Sequence, residues 1–235
     1  RIQSWVDLIL LNIDRWAAHG ASVIACNSRY SRFKIQKAYS TTAKVVYLGV
    51  DNNFFVPEFD SDSDYVLSVG RLHPSKGHDF CIKVIGCLNN NERPKLVVMG
   101  DSTVDVRYTK YLNDLAESEG VSLSIITVDE NELPSVYSQA KLVLCCQVSE
   151  PLGLSALEAI CCHSYVVGVS EGGILETIID ERVGKTVLRD VKVFSTVISN
   201  FLSDQSFVYD HEFADMYIKS EWTWDVSVNK ILQLT

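Results

Sequence analysis

The chain has 235 residues, enough for one large domain or two small ones with a substantial buried core. Hydrophobic residues make up 47% and charged residues 22%, an ordinary balance for a soluble globular protein, and no apolar run reaches the roughly 18 residues of a membrane span. A net charge of −9 argues against a nucleic-acid partner held by phosphate neutralisation, although a local basic pocket could still take a small anion.

The first twenty residues, RIQSWVDLILLNIDRWAAHG, read as an amphipathic helix. Asp7, Asn12 and Asp14 interrupt the apolar run and no small-residue cleavage site follows, so this is not a signal peptide. There is no initiator Met, and a fragment of a longer protein is expected. SVIACN (22–27) reads as a buried strand, RYSRFKIQKAY as a basic helix, and KVVYLGV (44–50) as a second strand. DNNFFVPEFDSDSD, rich in Asp, Asn and Ser, marks a linker over 51–64. The rhythm then restarts. Strands are expected at 65–70, 95–100, 122–126, 142–146 and 165–169, with KTVLR as the last. Helices are expected over about 76–88, 105–119 and 153–162, with shorter ones at ELPSVYSQA and GGILETIID, and the remainder of the chain reads as helical.

This alternation predicts repeated βαβ units, an α/β fold with a mostly parallel sheet and helices on both faces. Ligands of such sheets bind outside the carboxyl ends of the strands. The loops after Gly70, Gly100, Ile126, Cys146 and Val169 are therefore expected to converge on one crevice. The seven cysteines are odd in number, form no C-x-x-C pair and mostly fall in apolar runs. They read as buried free thiols in a reducing compartment, with a metal site or redox switch as the alternative.

Two loops carry chemistry. In VGRLHPSKGHD, Arg71 follows the strand end at Gly70, and Lys76-Gly77 come soon after. This is neither G-x-G-x-x-G nor a P-loop. It still sets a planar guanidinium and a mobile ammonium at the rim, with Lys76 and Gly77 expected at the start of the next helix, whose free amides also favour an anion. The competing reading is a solvated turn with two surface cations. His73 and His78 read as surface residues.

In SEPLGLSALEA, Pro151 fits just before a helix that begins near Leu152 or Gly153. Gly153 would let a ligand come close to the backbone, and the amides of Gly153, Leu154 and Ser155 would be unpaired first-turn donors. Glu158 lies roughly 7.5 Å further along the helix axis, while Glu150 stays in the loop. Two carboxylates thus flank an anion site, which suits sugar hydroxyls, a diphosphate and ribose hydroxyls in that order. The competing reading makes Glu150 a helix-start acid and Glu158 a solvated helix residue. Leu154, Leu157, Ala159 and Ile160 surround Glu158, however, and a carboxylate there needs a partner.

G-R-L-x-x-x-K-G at 70–77 and E-P-L-G-L-x-x-L-E-A at 150–159, in that order, resemble glycosyltransferase family 4. So do S-E-G-G-x-x-E at 170–176, V-G-K-T-V at 183–187, L-G-V-D-N-N-F-F-V-P at 48–57 and the terminal E-W-T-W-D. The resemblance implies a retaining enzyme of the GT-B fold, with two Rossmann-like domains of which the second binds a nucleotide-sugar donor. It implies that Arg71 and Lys76 neutralise the donor diphosphate, Glu150 contacts the transferred sugar, and Gly70, Gly153, Leu154 and Ser155 line the sugar-phosphate end. Glu158 would hold the ribose, Val128 would lie near the base, and Gly172 and Gly173 would let their loop pass close to the sugar. Glu176 would serve in the same motif or simply as a helix-start acid.

No metal is implied. The partners implied are a UDP-, GDP- or ADP-sugar and a glycan, lipid or small-molecule acceptor in the cytoplasm, with peripheral membrane contact left to a missing first domain. Residues 1–50 would be the remnant of that domain, 65–220 the donor domain and 221–235 a closing helix. The chain departs from the family at Cys146-Gln147, where Pro-Ser is common, and at His163-Ser164-Tyr165-Val166, where Gly-x-Pro-Val is common; donor identity stays open. A nucleotide-binding module without turnover is the alternative function, and a nucleotide-sugar epimerase a third.

Overall fold

The computed structural model describes residues 2–58 and 64–234, with side chains from residue 9 onward. Residues 59–63 of the expected linker lie outside the described residues. The first helix, α1 (Ile2–Gly20), is followed by a small parallel unit: β1 (Ala25–Cys26), α2 (Arg29–Tyr39) and β2 (Lys44–Val45). The two strands here are far shorter than the apolar runs at 22–27 and 44–50 suggest. They pair only with each other, over two residues.

The six expected strands of the second unit all form: β3 (Tyr65–Val69), β4 (Lys95–Met99), β5 (Leu123–Ile126), β6 (Leu142–Cys145), β7 (Val166–Val169) and β8 (Gly184–Val187). They pair in parallel in the order β5-β4-β3-β6-β7-β8. Their side chains alternate between two cores. Leu67, Val97, Val143 and Val166 face one side with α5 (Leu133–Ser138), α6 (Leu154–Cys161) and α9 (His211–Glu221). Val66, Leu96, Val98, Leu144 and Val167 face the other with α3 (His78–Gly86), α4 (Val106–Glu119) and α8 (Val191–Ser203). Burial on both faces is why the central strands are nearly continuous Val/Leu runs. The short α7 (Ile174–Thr177) follows β7.

The chain runs β3, β4, β5 outward to one edge, then returns to place β6 against the other side of β3. The loops after β3 and β6 therefore leave adjacent strands in opposite directions, which opens a crevice at their carboxyl ends. After α9 the chain turns back. Val50 N–H donates to the Trp222 carbonyl at 2.8 Å, Val50 bridges Thr223, and the Tyr47 and Trp222 rings lie 4.8 Å apart. The last helix, α10 (Trp224–Leu232), starts there, capped by Thr223.

Candidate functional site

The two motif loops meet in the crevice between β3 and β6. Lys76 Nζ donates to Glu150 Oε2 at 3.0 Å, and both side chains are largely sheltered, at 25% and 18% exposure. The reading by residue type sets these groups on a diphosphate and a sugar separately; the fold joins them directly. Arg71 stands exposed beside them, with no ion-pair partner among the described residues.

The local backbone differs from expectation at one point. Lys76 and Gly77 do not open a helix. Residues Pro74–Lys76 form a 3-10 turn capped by the exposed His73, whose Nδ1 accepts from the Ser75 amide, and Gly77 is the left-handed residue before α3. Gly77 has φ 72°, and a Cβ there would stand 2.0 Å from the Cys146 carbonyl oxygen. Only a glycine lets the two loops close on each other.

His78 is a second correction, because it is fully buried rather than on the surface. Its Nε2 lies 3.3 and 3.2 Å from the carbonyls of Gly70 and Arg71, and its Nδ1 lies 2.9 Å from Ser68 Oγ. Two carbonyls can only accept, so Nε2 carries the proton and Nδ1 accepts from the serine hydroxyl. Burial lowers its pKa, which keeps the ring neutral. His78 thus holds the Gly70-Arg71 turn from below. Its position at the first residue of α3, one turn from buried Cys81 and Ile82, was the available signal.

Helix α6 begins at Leu154, one or two residues after the start near Leu152 or Gly153 that Pro151 suggests. The Ala156 amide bonds to the Gly153 carbonyl, while the amides of Gly153, Leu154 and Ser155 find no acceptor among the described residues. They are free to meet an anion. Gly153 has φ 98°, and a Cβ there would also meet Ile174 Cδ1 at 2.4 Å; the left-handed backbone is what calls for the glycine. Ser155 Oγ accepts from Gln147 Nε2 at 3.2 Å.

Glu158 has the partner its apolar neighbourhood demands. The hydroxyl of fully buried Tyr137 donates to Oε2 at 2.6 Å. Burial raises the Glu158 pKa, and the hydroxyl opposes that rise. Burial, reinforced by the neighbouring carboxylate, pushes the Tyr137 phenol well above its ordinary value, so it remains a donor. Oε1 has no partner among the described residues.

Gly172 and Gly173 pass close to protein rather than to open space. A Cβ on Gly172 would lie 2.5 Å from the Glu150 carbonyl oxygen, and one on Gly173 2.2 Å from that of Pro151. The Gly173 amide donates to the Glu150 carbonyl at 2.8 Å. Glu176 reaches away from this loop to α2, accepting from the Arg29 and Tyr30 amides and the Tyr47 hydroxyl, each at 2.9 Å. It serves the first amides of a helix other than its own, and burial, reinforced by Glu176, pushes Tyr47 up to about 12. Gly70 adjoins the Lys76 stem, and half-buried Val128 follows β5, two strands from β3.

Residue-type reasoning missed Arg189. It follows β8, whose carboxyl end opens on the same rim, and binds both Glu171 and the Cys146 and Gln147 carbonyls. Of the cysteines, Cys81, Cys145, Cys146, Cys161 and Cys162 are buried free thiols, whereas Cys87 is exposed. Among the described residues no group of His, Cys, Asp and Glu could hold a metal ion, and no helix is long and apolar enough to cross a membrane.

The sequence pattern of the glycosyl transferases group 1 matches residues 49–219. The GDP-mannose-dependent alpha-(1-6)-phosphatidylinositol monomannoside mannosyltransferase of Mycolicibacterium smegmatis is 27% identical over 215 residues, which cover 81% of this chain and 55% of that protein. The chain spans about half the length of the curated relatives it matches. Among solved structures, HepE of Anabaena in complex with UDP and glucose superposes with a TM-score of 0.83 at 20% identity, covering 95% of this chain and 65% of that one. The sucrose-phosphate synthase of Thermosynechococcus elongatus gives 0.83 at 19%, covering 95% and 60%. At these identities the structures speak for the fold.

Proposed function

Because the chain belongs to the group 1 glycosyl transferases, we propose that it is the donor-binding part of a retaining, family 4-type enzyme that moves a hexose from a nucleoside-diphosphate sugar to an acceptor hydroxyl. The observation that carries this reading is the meeting of Lys76 and Glu150 at 3.0 Å in the crevice between β3 and β6, at the mouth of α6.

A donor entering the crevice gives Lys76 a phosphate in place of the carboxylate. Arg71, Lys76 and the free amides of α6 then bear the negative charge that grows on the departing diphosphate. Glu150, released, accepts from hydroxyls of the transferred sugar. Glu158 presents Oε1 to the ribose while Tyr137 holds Oε2, and Val128 borders the base. No side chain is assigned as nucleophile, and no metal is assigned, because the two cations supply the neutralisation. Residues 1–50 close the first domain, 51–64 link it to the donor domain at 65–220, and 221–235 form the closing helix. The acceptor, whether glycan, lipid or small molecule, is bound by parts beyond this chain, in the cytoplasm or at the cytoplasmic face of a membrane.

Calorimetry against UDP-, GDP- and ADP-sugars tests the reading, joined to an assay that follows the anomeric configuration of any product. Arg71→Ala and Lys76→Ala should each weaken donor binding by roughly tenfold, the loss of one charge-assisted contact. Unchanged affinity in both variants refutes the diphosphate role. The chain's half-length coverage of its relatives favours a second reading, nucleotide-sugar binding without turnover in the isolated chain, and binding without product would support it.

A further inference from the structure

The loop that carries Glu150 is tied down from several directions. The Val148 amide donates to the Ser75 carbonyl at 2.8 Å, and the Glu150 carbonyl accepts from the Gly173 amide. The densest set of ties comes from Arg189. Its Nη1 donates to the Cys146 carbonyl at 3.0 Å and its Nη2 to the Gln147 carbonyl at 2.9 Å. The other edge of the guanidinium binds both oxygens of Glu171, Nε to Oε1 at 2.8 Å and Nη2 to Oε2 at 3.0 Å. The Phe80 ring lies 5.3 Å from the guanidinium carbon. Glu171 adjoins Gly172 and Gly173, which press against Glu150 and Pro151. Arg189 therefore grips the chain just before Glu150 by its carbonyls and, through Glu171, the loop that abuts Glu150 itself.

We propose that Arg189, held by Glu171, is a positioning residue that fixes the loop carrying Glu150 and so sets the carboxylate against the transferred sugar. This rests on the reading of Glu150 as the sugar-contacting group. The requirement is specific to arginine. Only a planar fork reaches two carbonyls on one edge and a carboxylate on the other at once. A lysine would keep the charge and lose the geometry. Of the diphosphate contacts, Arg71 and Lys76 lie on the turn after β3, and Leu154 and Ser155 belong to α6 itself, so the sugar end, on the loop that Arg189 grips, depends on Arg189 more than the phosphate end.

The test compares the wild-type chain with Arg189→Ala, Arg189→Lys and Glu171→Gln. Hydrogen exchange at the Val148 and Gly173 amides is read against the β6 amides, and calorimetry compares each nucleoside diphosphate with its sugar-bearing form (UDP with UDP-glucose, GDP with GDP-mannose). In Arg189→Ala, exchange at Val148 and Gly173 should rise about tenfold or more with β6 unchanged, as expected for losing charge-assisted bonds from one loop. Affinity for the sugar-bearing nucleotide should fall about tenfold, and for the bare diphosphate by less than about threefold. Arg189→Lys should melt close to wild type yet show the same fast exchange. Glu171→Gln should lose affinity in the same pattern.

Unchanged exchange at Val148 in Arg189→Ala overturns the proposal, as does an equal loss for both nucleotide forms. A fall in melting temperature with uniformly faster exchange in both Arg189 variants would make Arg189 a general stabiliser and overturn it too. If the wild-type chain binds none of these nucleotides, the donor reading fails on its own, and the exchange data then decide whether Arg189 holds the loop.

Discussion

Replacing Tyr137 by Phe deletes one oxygen and little else. The ring keeps its edge-on contact with Phe55 at 6.0 Å, and Ser164 keeps its bond to the Tyr137 carbonyl. What disappears is the 2.6 Å hydrogen bond to Glu158 Oε2. A hydrogen bond to a charged group contributes about 1.5–3 kcal/mol, and one between neutral groups about 1 kcal/mol. The loss is therefore roughly 2 kcal/mol when Glu158 is ionised, which corresponds to a fall of roughly 4–8 °C in melting temperature for a chain of this size.

The sign with pH follows from the direction of the Glu158 shift. Burial raises its pKa in the folded state above the unfolded value, so ionising it destabilises the fold as pH rises through that range, and Tyr137 limits the penalty. Without the hydroxyl the folded pKa rises further. The cost of Tyr137→Phe should thus grow with pH, from about 1 kcal/mol where Glu158 is protonated to roughly 2 kcal/mol where it is charged. Thermal melts of both proteins from pH 4 to 8 measure it. A cost that is flat across that range, or below about 0.5 kcal/mol at pH 8, refutes the account of Glu158 as a buried carboxylate held by one donor.

Other substitutions test separate contacts. Gly77→Ala must shift either a left-handed backbone or the Cys146 carbonyl 2.0 Å from the new Cβ, and should cost at least about 2 kcal/mol by chemical denaturation. Glu176→Ala removes the acceptors of the Arg29 and Tyr30 amides while the Ser28 cap stays, and should speed amide exchange at those two residues with a stability loss of about 1–2 kcal/mol. A double-mutant cycle on Lys76 and Glu150 should give a coupling of about 1 kcal/mol without ligand, given their partial shelter, and a coupling near zero would mean the pair is not formed in solution.

The four inner strands of the large sheet are legible in sequence because burial on both faces leaves each as a mostly apolar run between polar loops, whereas the edge strands β5 and β8 are less buried and carry Ser124, Lys185 and Thr186. The same signal overstated β1 and β2, since apolar composition does not say how far a ladder runs. Pro151 fixed the start of α6 within one or two residues. The roles of His78 and Arg189 escaped residue-type reasoning for a shared reason. Each is held by backbone carbonyls, those of the preceding turn for His78 and of a distant loop for Arg189, and backbone acceptors leave no trace in residue identity. Gly153 and Gly172 were visible as important, but what fills the space beside them, Ile174 and the Glu150 backbone, is decided by tertiary packing.

The contacts that build the crevice are widely spaced along the chain: 74 residues between Lys76 and Glu150, 43 between Arg189 and Cys146, and 147 between Arg29 and Glu176. Each closes a long loop and adds to the entropy that folding must overcome before the contact forms. A nascent chain that has made β3, β4 and β5 owns half a sheet and Lys76 but no Glu150. Only when β6 inserts beside β3, and β8 brings Arg189 to the rim, do the carboxylates and cations face one another. Ligand affinity therefore reports completion of the whole sheet, and a nucleotide that binds the finished crevice draws the folding equilibrium toward it in proportion to its occupancy.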